Sequence, residues 1–62
     1  MHFYLQRHRE EKGFTQVQLA KRSGVSQAFI SKIESGERIP TVYIAKKLAI
    51  VLETTVDALI EV

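Results

Sequence analysis

The residues of this 62-residue chain that could do chemistry lie between Ser26 and Ser35, in the run Gln27-Ala28-Phe29-Ile30-Ser31-Lys32-Ile33-Glu34. Wound at 3.6 residues per turn, the run puts Ile30 and Ile33 on one face and Gln27, Ala28, Ser31 and Lys32 on the opposite one. The polar face suits the edges of base pairs. A glutamine amide can bond adenine N7 and N6 with both its ends, and a lysine can donate to guanine O6 and N7. An alanine can only touch a thymine methyl or make room. An ordinary solvated helix surface carries the same residue types, so the face alone does not decide. Catalysis has no comparable support. His2 and His8 are not spaced for one helical face, and Glu10 and Glu11 are neighbours that a helix sends to different sides. There is no cysteine and no glycine-rich phosphate loop, so neither an enzyme, a cofactor nor a metal site is expected.

A second group of residues suits phosphate. Thr15 is assigned to phosphate with the helix that begins after it, which exposes free amides and the positive end of its dipole, and Gln16 adds a side-chain donor there. Ser26, Ser35 and Arg38 flank the polar run, and Thr41 stands at the start of a later helix. Lys21 and Arg22 read as solvated charge, and Phe29, between the two faces, as a half-buried packing residue.

These groups need helices to hold them. Gly13, Gly24 and Gly36 each follow a helical stretch and mark the ends of three helices. Thr15 to Gln18 has the pattern of a capping box, with Phe14 and Leu19 as its hydrophobic staple. Ser26 is a second N-cap, with Val25 and Ile30 as the staple pair. Pro40-Thr41 opens a fourth helix that runs to about Leu52, and Thr55 caps a fifth over Val56–Glu61. The 3.6 period assigns Leu5, Phe3, Leu19, Ala20, Ile30, Ile33, Val42, Ala45, Leu48, Ala49, Leu52, Val56 and Leu59 to the core. No strand alternation is visible, so the expected class is all-α. Two short helices joined by Ser23-Gly24-Val25, over about residues 15–35, make a helix-turn-helix. Ala20 allows close approach, Gly24 permits the sharp turn and Val25 fills the gap between the helices.

Composition agrees with one small domain over residues 1–62. Apolar residues make up 45% of the chain, which argues against disorder. The net charge of +2 is a weak pointer to nucleic acid, but residues 1–40 carry seven Lys/Arg against four Asp/Glu. The absence of cysteine suits a reducing cytoplasm, and no apolar run is long enough for a membrane span. The chain opens with Met1, which fits either a complete small protein or a domain of a longer one.

The register of the whole chain resembles the phage-repressor and Cro family of helix-turn-helix regulators, also called the xenobiotic-response-element type. The matching residues are Gln16-x-x-Leu19-Ala20, Gly24-Val25-Ser26, Ile30-Ser31-x-Ile33-Glu34-x-Gly36, Pro40, Leu48-Ala49 and Leu52. The match runs from Leu5 to Leu59 in one spacing. The chain departs from it at Glu53-Thr54, where a glycine and an aliphatic residue are usual, and at Ala45, which is smaller than the usual leucine. The resemblance implies a compact five-helix bundle, a lambda-repressor-like DNA-binding domain. Its recognition helix, about residues 26–35, would enter the major groove. It implies that Gln27, Ala28 and Lys32 read bases, and that Gln16 bonds the backbone and braces Gln27. It also places Arg9 and Glu34 together as a structural ion pair between the first and third helices. A transcriptional regulator or repressor of double-stranded DNA is therefore expected. The alternative is an antitoxin or protein-interaction module on the same fold, although no segment looks like a toxin-binding tail. Ile44, Ile50, Val51, Ile60 and Val62 exceed what the core needs and are assigned to a homodimer interface.

Overall fold

The computed structural model describes residues 2–61, with the side chain of Glu61 left aside. Five helices follow one another: α1 (Leu5–Glu11), α2 (Gln16–Ser23), α3 (Gln27–Glu34), α4 (Val42–Val51) and α5 (Val56–Leu59). Their starts are set by local chemistry. Thr15 Oγ1 accepts from the Gln18 amide while Gln18 Oε1 accepts from the Thr15 amide, which completes the capping box. Ser26, Thr41 and Thr55 cap α3, α4 and α5, each through a hydroxyl that accepts the amide three residues on. Gly24 ends α2 at φ +76°, a left-handed conformation that costs a side-chain-bearing residue ~1–2 kcal/mol. The polypeptide needs that turn to carry α3 across α2.

The end of α4 shows how a departure from the family pattern is accommodated. Glu53, where a glycine is usual, takes φ +56°, and is the one non-glycine residue with positive φ among the described residues. The amides of Glu53 and Thr54 bond back to Ile50 O and Ala49 O, so the helix closes as it would with glycine. Lys12 Nζ also donates to Glu53 Oε1 at 2.7 Å, joining the end of α1 to this turn.

Leu5, Leu19, Ile30, Ile33, Leu48, Leu52 and Leu59 are fully buried, with Val25, Ala45 and Ala49 almost so. Phe3, Ala20 and Val56 are half-buried against them. Val42, expected in the core, is instead 68% exposed. It lies on the same stripe as Ala45 and Ala49, but one turn earlier, where it lines a surface groove with Phe3, Val56 and Ile60.

Two further expectations change at the termini. The fifth helix ends at Leu59 rather than Glu61, because Ile60 is extended (φ −106°, ψ 137°). Residues Ile60–Glu61 form a short strand, β2, antiparallel to β1 (His2–Phe3), with Phe3 opposite Ile60 and His2 opposite Glu61. The Tyr4 amide donates to Leu59 O at 2.8 Å beside them. His2 and Phe3 thus belong to this clasp, not to the first helix. Two-residue strands are too short to show alternation in sequence. The class remains all-α, a five-helix bundle with the chain ends tied together.

Candidate nucleic-acid interface

The interface candidate is the outward side of α3. Burial of Ile30 and Ile33 fixes the rotation of this helix, and Gln27, Ala28, Ser31 and Lys32 are consequently all exposed. Phe29 is half-buried and packs on the core, as its position between the two faces suggests. Ser26, Ala28, Phe29, Lys32 and Arg38 line one shallow hollow of about 330 Å³. Arg38 comes to this rim because the loop after α3 folds back. The amides of Glu37 and Arg38 both bond to Lys32 O, at 2.9 and 3.1 Å.

The hydroxyls assigned to phosphate differ in what they have left to offer. Those of Thr15, Ser26 and Thr41 act as acceptors in their caps, so each keeps its proton for an outside acceptor. The Ser35 hydroxyl donates to Lys32 O at 3.1 Å and must give up that bond to reach a phosphate. Arg22, expected to be free in solvent, is exposed but lies over the Phe14 ring at 4.8 Å.

Behind this surface is a polar knot. Arg9 Nε donates to Glu34 Oε2 at 2.7 Å, and its Nη2 to Glu34 Oε1 at 3.1 Å. Arg9 Nη1 donates to Phe14 O at 2.7 Å, which holds the α1–α2 connection. The side chains of Arg9 and Glu34 are 11% and 5% exposed. The hydrogen bond with Glu34 raises the guanidinium's pKa above its ordinary value, against the opposing effect of burial. Gln16 also belongs to the knot, because its Nε2 donates to Glu34 Oε1 at 2.9 Å. The family resemblance implies the Arg9–Glu34 pair but not the bonds from Gln16 and to Phe14. Gln16 and Glu34 are 18 positions apart, and no local pattern joins them.

The residues assigned to a homodimer interface are dispersed. Ile50 is 76% exposed, whereas Ile44 and Val51 are half-buried against the core. Ile60 is half-buried and lines an apolar groove with Phe3, Ile39, Pro40, Val42 and Val56. Val62 lies outside the described residues. Ile39, Val42 and Tyr43 are exposed apolar residues that the sequence reading did not assign to an interface. Among the described residues no three His, Cys, Asp or Glu side chains gather as metal ligands. No helix there is long and apolar enough to cross a membrane.

An α2–α3 pair closed by a left-handed glycine, with a polar outward face on the second helix, defines a helix-turn-helix. The chain belongs to the helix-turn-helix family of phage-repressor and Cro type, whose model matches residues 5–59. It is 42% identical over 48 residues to YqaF of Bacillus subtilis (strain 168), a helix-turn-helix-type transcriptional regulator. That match covers 77% of this chain and 63% of YqaF. It is 49% identical over 41 residues to the regulator y4dJ of Sinorhizobium fredii, covering 66% of this chain and 53% of y4dJ. The chain thus spans less than two thirds of either relative. Among solved structures it resembles SinR, a master regulator for biofilm formation, in complex with DNA. The TM-score is 0.87 at 29% identity, over 92% of each chain. It also resembles the restriction-modification controller protein C.AhdI from Aeromonas hydrophila, with a TM-score of 0.87 at 30% identity. That match covers 92% of this chain and 86% of C.AhdI.

Proposed function

We propose that this chain is a sequence-specific double-stranded DNA-binding transcriptional regulator. It acts as a homodimer on a near-palindromic site, with α3 in the major groove. The observation that carries the reading is the outward face of α3, where Gln27, Ala28, Ser31 and Lys32 stand exposed on a helix anchored by buried Ile30 and Ile33. In this reading those four residues meet base edges. Thr15, Gln16, Ser26, Arg38 and Thr41 meet phosphates, and Ser35 does so after releasing Lys32 O. The structure of SinR in complex with DNA is a precedent for such a fold on DNA.

A two-fold dimer would set two α3 helices about 34 Å apart, one turn of DNA. The domain's longest extent of 27 Å is compatible with that spacing. Ile50 and Ile60 from the sequence reading, extended by Ile39, Val42 and Tyr43, supply apolar surface for the contact. Ile44 and Val51 can contribute only what their packing leaves exposed.

The test compares wild type, Gln27→Ala and Arg38→Ala on a selected duplex and a scrambled one across a salt series. Gln27→Ala should lose ~1–3 kcal/mol on the selected site and hardly change on the scrambled one. Arg38→Ala should weaken both alike and lower the salt slope by about one. Equal weakening of both duplexes by Gln27→Ala, or no effect on either, would remove α3 as the base reader.

A further inference from the structure

The acid at the end of α3 has a role that its burial conceals. Glu34 is 5% exposed in its side chain and holds Arg9 through both carboxylate oxygens, so the pair carries no net charge. A third donor, Gln16 Nε2, also reaches Glu34 Oε1. A carboxylate only accepts hydrogen bonds, so this contact fixes which end of the Gln16 carboxamide faces inward. The amide nitrogen carries a second hydrogen, which this bond leaves for another acceptor.

Gln16 is also the first residue of α2. The capping box occupies the amides of Thr15 and Gln18, which leaves those of Gln16 and Val17 at the positive end of an eight-residue helix. Without Glu34 the carboxamide could turn over and point its oxygen outward, where it would repel a phosphate.

We propose that Glu34 is a positioning residue for DNA binding that acts through Gln16: it takes one amide hydrogen of that side chain and so presents the other to a phosphate oxygen. The inference rests on the DNA-binding reading above and deepens it. It also predicts a sign that simple electrostatics does not. Removing an acid from a DNA-binding protein should tighten binding to every sequence. Removing this acid should loosen it.

The experiment is a double-mutant cycle of Gln16→Ala and Glu34→Gln. Affinity is measured for selected and scrambled duplexes across a salt series, at a temperature where circular dichroism shows every variant folded. Gln16→Ala should bind both duplexes roughly tenfold more weakly, as for loss of one charge-assisted hydrogen bond. The salt slope should not change, because a neutral donor releases no counterion. Glu34→Gln should bind roughly three- to tenfold more weakly in the wild-type background and no more weakly in the Gln16→Ala background.

Equal weakening by Glu34→Gln in both backgrounds would mark a structural effect only and overturn the proposal. So would unchanged or tighter binding by Glu34→Gln alongside a weakened Gln16→Ala, although Gln16 would then remain a phosphate contact. Gln16→Asn serves as a second probe if Glu34→Gln does not fold. It keeps the amide but is one methylene too short to bridge, and wild-type affinity for it would likewise overturn the proposal. Failure of the wild-type chain to bind any duplex would overturn the DNA-binding reading itself.

Discussion

Replacing Glu34 by alanine should be among the most damaging single changes in the molecule. A domain of 62 residues has only ~3–9 kcal/mol of stability to lose. Alanine at 34 leaves Arg9 Nε and Nη2 and Gln16 Nε2 without their acceptor, while Arg9 Nη1 keeps Phe14 O. Removing one partner of a buried pair costs ~3–5 kcal/mol. Arg9 can extend its head toward water along its apolar stem, which favours the lower end, about 3 kcal/mol. At ~4–8 °C per kcal/mol for a domain of this size, the melting temperature should fall by ~12–24 °C. Lys32→Ala, at an exposed position on the same helix, should stay within ~0.5 kcal/mol of wild type. Thermal melts followed by circular dichroism at matched protein concentration compare the two. Melting temperatures that agree within about 3 °C would show that the Arg9–Glu34 pair is not needed to hold α1 on α3. The double variant Arg9→Met with Glu34→Leu refines the test. It should melt above Glu34→Ala, because it removes the stranded charge along with its partner.

Gly24→Ala should cost ~1–2 kcal/mol in a denaturant titration, all of it from the backbone at φ +76°. A Cβ there meets nothing nearer than Lys47 Nζ at 4.0 Å, so a loss much larger than this would contradict the assignment to backbone strain. The hydrogen bond from Lys12 lowers the pKa of Glu53. The Lys12–Glu53 bridge therefore contributes stability above the ordinary carboxylate range and loses it as the pH falls through the folded-state value. The difference in melting temperature between wild type and Glu53→Gln should accordingly be largest near about pH 7 in low salt and vanish near about pH 2. A difference that grows on acidification would reverse the sign. Sedimentation at tens of micromolar with a two-site duplex should show two chains per DNA. A 7.1 kDa species alone, with and without DNA, would dispose of the dimer.

Much of this molecule can be read from nearest-neighbour chemistry. Thr15, Ser26, Thr41 and Thr55 cap helices because a hydroxyl three residues before a free amide acts locally. Gly24 turns because no other residue does so without strain. The outward face of α3 follows from the spacing of Ile30 and Ile33 alone. Tertiary structure decided what depends on residues far apart in sequence. Ile60 and Glu61 leave the helical path because His2 and Phe3 offer backbone partners at the other end of the chain. Val42 is exposed because the elements beside the first turn of α4 leave a groove over it, although its place in the helical period is that of a core residue. The three-donor clasp on Glu34 exists only where α1, α2 and α3 converge, and periodicity along one helix cannot register such a meeting. The helices and their faces are legible along the chain because local hydrogen bonds and a 3.6-residue period govern them. Which of those faces are covered, and which buried polar groups find one another, depends on elements that approach through space.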